Sequence, residues 1–187
     1  MTGRPMPRVG FVKRIWLNNF SKPACDRAVF KHVSQKRPQR ILQLGIHSLE
    51  RCECLLTLAH SLCDNPIHFV GLDYFEGRSN TAPQGPTLKQ AHQRLHGLAN
   101  TQLVPGQVDI SLARLCNHIG IFDLILIDSV VIQNHLDRCW FFIQRITSQT
   151  SLILREEQNR EQTTSWKVVS ASEISSLASR TVLRKAG

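Results

Sequence analysis

Two periods of apolar residues alternate along the chain. Short, nearly continuous runs recur: Ile41-Leu42-Gln43-Leu44, Phe69-Val70-Gly71-Leu72 and Leu124-Ile125-Leu126-Ile127. Runs of that length suit strands covered on both faces, and the four aliphatics 124–127 predict a central one. Between them, Leu49, Cys52, Leu55, Leu56 and Ala59 fall at helical spacing, as do Leu88, Ala91, Leu95 and Leu98. Leu136, Trp140, Phe141, Ile143 and Ile146 do the same over 133–147. Strands alternating with helices predict an α/β class fold: a Rossmann-like, doubly wound, mostly parallel sheet with helices on both faces. Pro38 and Gly45 bound the first strand, and Ser48 stands where a helix N-cap belongs. Such a unit makes a right-handed crossover, with its binding edge at the strands' carboxyl ends.

The rest of the chain extends the pattern. Residues 74–86 contain two Gly and two Pro and predict a long loop at the binding edge, where functional residues concentrate. Thr87 opens a helix running toward Asn100. Residues 102–106 predict a short strand, 110–119 a helix, and Ser151–Arg155 a fifth strand. Val130-Val131-Ile132 is an apolar insert beyond the central strand and offers a contact surface. A polar stretch, 158–165, precedes a strand at 166–169, a helix at 170–179 and a last strand at Thr181–Leu183. Upstream, Phe11, Ile15, Trp16 and Phe20 form one stripe of an amphipathic helix over 11–20 that either lies on a membrane surface or covers the sheet or cleft, the second being favoured. Ser21 N-caps a second helix over 23–35, with Pro23 in its first turn.

Charge separates the two parts of the chain. The net charge is +9, yet residues 1–40 hold ten Lys/Arg and one acid, Asp26; the remainder carries 13 basic and 13 acidic residues. We therefore divide the chain into a basic extension, 1–37, with one or two helices, and an α/β domain, 38–187. The extension reads either as a solubilising segment or as an arm for nucleic acid or another anionic surface. No apolar run has the ~18–20 residues of a transmembrane segment. The N-terminus lacks a secretory apolar core. Six cysteines show no C-x-x-C pair, and Cys52-x-Cys54 points its thiols apart on a helix. They read as small buried hydrophobes of a cytoplasmic protein.

The layout of residues 38–157 resembles class I S-adenosylmethionine (SAM) dependent methyltransferases. The resemblance rests on Gly45 after the first strand, Asp73 at the end of the second, and the FDLILIDS segment ending the fourth. It implies SAM as cofactor and methyl transfer as activity, with a small-molecule acceptor that the sequence leaves open. By resemblance, the turn Gly45-Ile46-His47 lies against the methionine part, Asp73 takes the ribose hydroxyls, Tyr74 follows it into the site, and Asp109 lies by the adenine. Asp128 then orients the acceptor or deprotonates it. The family's run of alternating glycines reads here Gly45-Ile46-His47-Ser48, so Ile46 narrows the site. His47 donates to the cofactor carboxylate or sits in solvent. The C-terminal end is shorter than the family's closing helix and hairpin.

Three alternatives remain at this level. A nicotinamide-binding domain needs glycines that Ile46 and Ser48 replace. A noncatalytic domain of the same fold would act through protein or nucleic-acid partners. A divalent metal, bound in some methyltransferases at the Asp128 position, would meet Glu156, Glu157 and Asn159, a poor match to the usual ligands, so no metal is assigned.

Overall fold

A computed structural model of the chain describes residues 16–17, 21–78, 85–158 and 163–183. Six strands form one sheet in the order β3-β2-β1-β4-β5-β6. They are β1 (Arg40–Leu44), β2 (His68–Asp73), β3 (Asn100–Pro105), β4 (Leu124–Ile127), β5 (Leu152–Gln158) and β6 (Thr164–Val168). The first five run parallel, and β6 returns antiparallel along β5. The expected Rossmann-like, doubly wound class stands.

Period-two alternation sorts the strand side chains between two cores. Ile41, Phe69, Leu124 and Leu126 face one layer. It is built by helices α1 (Asp26–Lys36), α2 (Leu49–Leu62) and α3 (Leu88–Leu95). Leu42, Leu44, Val70, Leu72, Ile125 and Ile127 face the other. That layer holds α4 (Val108–Leu115), α5 (Gln133–Arg145) and α6 (Ala171–Leu183). Both faces of β1 and β4 are covered, which is why β4 reads as an unbroken apolar run and β1 as one interrupted only by the buried Gln43.

The caps follow local chemistry where the partner is close in sequence. Ser48 Oγ accepts from Arg51 N at 3.2 Å and starts α2. Thr87 and Gln90 exchange side-chain and backbone bonds in a capping box at α3. That helix stops at Leu95 rather than continuing to Asn100, because Gly97 turns the chain at φ +78° and β3 already begins.

Three expectations change. Ser21 does not cap α1: its hydroxyl turns back to donate to Leu17 O at 2.7 Å, and α1 starts at Asp26 after tight turns through Pro23 and Ala24. Thr181–Leu183 is not a strand but the end of α6. In the N-terminal stripe, Trp16 is 52% exposed while its neighbour Leu17 is buried; Phe11, Ile15 and Phe20 lie outside the described residues. Helix α1 packs Val29, Phe30 and Val33 into the same core as β1 and touches α2 and β6.

Candidate functional site

The parallel register brings three strand ends to one rim. Leu44 pairs with Leu72 on one side and Ile127 on the other. Gly45 N donates to Leu72 O at 2.8 Å, and Asp128 N donates to Leu44 O at 2.9 Å. Gly45, Asp73 and Asp128 are therefore neighbours at the carboxyl edge of the sheet. A cavity of about 220 Å³ opens there, lined by Gly45, Asp73, Tyr74, Arg78, Val108 and His135, with Val130 to Ile132 along one wall.

Gly45 is required by its conformation and its surroundings. Its φ is +80°, and a Cβ would meet the Cγ2 atoms of Val130 and Val131 at 2.9 Å each. The apolar insert packs inward in part: Val130 and Val131 rest on the glycine turn, and Ile132 stays exposed.

Ile46 does not narrow the cavity. Its side chain is fully buried on the α2 side of the sheet, in a space that Gly71 leaves open; a Cβ on Gly71 would lie 2.7 Å from Ile46 Cδ1. Its backbone faces the site, with N donating to Asp73 Oδ2 at 2.8 Å. His47 is exposed and points to a separate open depression with Leu49, Pro86 and Arg94. Its amide donates to Asp128 Oδ2 at 3.2 Å.

Asp73 is 2% exposed and closely held. Besides Ile46 N it accepts from Phe75 N at 3.3 Å, and the Arg78 guanidinium grips both oxygens, Nε reaching Oδ1 at 3.2 Å and Nη2 reaching Oδ2. Tyr74 lies beside it, its hydroxyl 3.5 Å from His135 Nε2. Burial, and behind it the Asp109 charge, hold the Tyr74 phenol above its ordinary pKa.

Asp109 sits in the first turn of α4, and its partners come from α5. His135 Nδ1 is 3.1 Å from Oδ1, and Arg138 Nη1 is 3.4 Å from Oδ2. Gln107 Nε2 is 2.6 Å from the same His135 nitrogen.

Asp128 faces the sheet interior rather than the cavity. It is 1% exposed. It accepts from His47 N, from Val130 N at 3.1 Å, and from Arg51 Nη1 at 3.2 Å. Arg51 reaches up from α2 and joins three carboxylates, with Nε 2.9 Å from Asp26 and Nη2 2.8 Å from Glu156. The Trp166 ring covers its guanidinium at 5.0 Å. Ser129 N and Oγ complete Glu156 at 3.1 and 2.9 Å. Burial first, then the Glu156 charge, lift the Asp128 carboxyl to about 7 against the pull of Arg51. Burial alone would raise Glu156 too, but Arg51 and Ser129 win and lower it. Burial opposes the charge on Arg51, yet the three acids hold its pKa above the ordinary value. The Arg51 guanidinium occupies the space between Asp128 and Glu156, and Asn159 lies outside the described residues.

Sequence reasoning overlooked Arg51, Arg78 and His135. Arg51 carried a signal, a charge set among Leu49, Cys52 and Leu55 on the buried side of a helix. Arg78 lies five residues past Asp73 in the loop already assigned to the binding edge.

No family model and no curated protein sequence matches the chain. Solved structures do. It is similar to an O-methyltransferase from Bacillus cereus in complex with S-adenosylhomocysteine (SAH), at a TM-score of 0.57 and 15% identity over 94% of this chain and 77% of that one. It is similar to apo CalS11, a TDP-rhamnose 3'-O-methyltransferase of calicheamicin biosynthesis, at 0.56 and 16% over 81% and 78%. TomG, an O-methyltransferase of tomaymycin synthesis from Streptomyces achromogenes in complex with SAM, gives 0.56 and 11% over 94% and 77%. The chain has the fold of class I SAM-dependent methyltransferases. No helix among the described residues is long and apolar enough to cross a membrane.

Proposed function

We propose that the chain is a SAM-dependent methyltransferase acting on a hydroxyl of a small-molecule acceptor. One observation carries the proposal: a cavity bounded by Gly45, Asp73 and Tyr74 opens at the carboxyl edge of a methyltransferase-fold sheet. The hydroxyl acceptor is suggested by the O-methyltransferases among the similar structures.

The residues fit the nucleoside half of the cofactor. Asp73 offers a carboxylate for the ribose hydroxyls, Tyr74 an aromatic face, Val108 and Ile132 apolar walls, and His135, held from behind by Asp109, a polar edge for the base. The amino-acid half belongs along the turn where Val130 and Val131 touch Gly45. At about 220 Å³ the cavity is below the ~300–1,000 Å³ of ligand pockets, so binding the whole cofactor widens it. When bound, SAM supplies an activated methyl group; the protein supplies position and electrostatics.

In this reading Asp128 builds the rim rather than moving a proton. It fixes the His47 and Val130 amides on either side of the turn and shares Arg51 with Glu156. Six cysteines, all free, support a reducing cytoplasm. The basic residues of 1–40 support an arm whose binding to nucleic acid or an anionic surface is salt-sensitive and is weakened by deletion of 1–20.

Thermal unfolding with SAM and with SAH tests the proposal. At a hundredfold excess over Kd the gain is about 2.7 kcal/mol. For a chain of this size that raises Tm by roughly 5–10 °C. No rise with either compound at millimolar concentration refutes it.

A further inference from the structure

Arg78 spans the two halves of the site. Its guanidinium grips Asp73 at the end of β2, where the ribose hydroxyls belong, and its Nη2 also donates to Ile46 O on the glycine turn at 2.7 Å. Gly85 makes room for it: a Cβ there would lie 1.8 Å from Nη1. The turn itself has little to offer an anion. Ile46 N is spent on Asp73 and His47 N on Asp128. Among the described residues lining the cavity, the cationic side chains are Arg78 and, when protonated, His135.

We infer that Arg78 exchanges carboxylates when the ligand binds. It releases Asp73 to the ribose hydroxyls and takes up the carboxylate of the ligand's amino-acid tail. The inference rests on the SAM site proposed above. A guanidinium is a planar fork matched to any carboxylate, so the two partners are equivalent in geometry and charge. Asp73 keeps the Ile46 and Phe75 amides after the exchange. A largely buried guanidinium that gives up a carboxylate is disfavoured unless another takes its place. A bare nucleoside displaces Arg78 and offers it nothing, whereas a nucleoside with an amino-acid tail re-pairs it. Arg78 thereby selects for the tail, in place of the missing glycines.

Calorimetric titration of SAH and of 5'-methylthioadenosine, the same thioether nucleoside without the tail, tests this on wild type, Arg78→Ala and Arg78→Lys. Arg78→Ala is expected to leave SAH binding within a few fold, because it removes one charge-assisted pair from the free protein and an equivalent one from the complex. It should tighten methylthioadenosine roughly 10- to 100-fold, since Asp73 no longer has to be freed, and Arg78→Lys should recover part of the preference for SAH. Equal changes for both ligands, in either direction, overturn the exchange and leave Arg78 a simple plug. If wild type binds neither compound, the cofactor site falls and the exchange with it. Ligand-free unfolding checks each variant; if Arg78→Ala does not fold, Arg78→Gln carries the same comparison.

Discussion

Replacing Arg51 with Met should remove the cation around which one side of the rim is assembled. The side chain is close in volume, so the change is one of charge and hydrogen bonds. Three carboxylates lose their shared partner, at 2.9 Å (Asp26), 3.2 Å (Asp128) and 2.8 Å (Glu156), with all four side chains nearly buried. Removing one member of a buried ion pair costs about 3–5 kcal/mol. That is a large share of the ~5–15 kcal/mol that holds a domain folded. The pH dependence gives the sharper signature. In wild type, Asp128 is raised from 3.8 to about 7, so the native state keeps a proton that the unfolded chain has released. Its contribution therefore declines as pH climbs through that window. Glu156 is lowered, so its contribution is present above 4.5 and lost as pH falls through its native value. Without Arg51 all three carboxyls rise, the native state takes up protons, and the variant gains stability as pH falls from 8 to 5. Urea unfolding of both proteins across that range should show a gap of several kcal/mol at pH 8 that narrows toward pH 5. A loss under about 1 kcal/mol, or a gap that stays constant with pH, would refute this account of the cluster.

Two substitutions separate packing from binding at the turn. Ile46→Ala should cost about 2–4 kcal/mol in urea unfolding yet leave SAH affinity within about twofold, because the side chain fills the core behind Gly71; a large affinity loss would place Ile46 in the site. Gly45→Ala should destabilise by roughly 2–4 kcal/mol, combining left-handed backbone with contacts at 2.9 Å to Val130 and Val131. A neutral Gly45→Ala variant would show that the valines yield.

Much of the fold could be read from the sequence because its determinants are local. Leu124–Ile127 and Ile41–Leu44 announced buried strands by their own composition, and Ser48 and Thr87 cap helices with partners three residues away. The site was legible only in part. Gly45, Asp73 and Asp128 could be placed at strand ends, since a strand's end is a local feature. What each side chain touches was not, since those partners come from far along the chain. Arg51 meets Asp128 and Glu156 across 77 and 105 residues. Ile46 turns inward only because Gly71, on another strand, leaves it room. The Thr181–Leu183 error has the opposite origin. A β-branched pair suggested a strand, but α6 was already formed and packed on α5, and its turns continue through those residues.

The central claim, that Asp73 anchors a nucleoside ligand at this rim, is tested most directly by titrating SAH into wild type and Asp73→Asn. The account predicts measurable heat for wild type and at least tenfold weaker binding for the variant, with ligand-free unfolding used to normalise any change in stability. Equal affinity for the two proteins, or no binding by wild type, would contradict it.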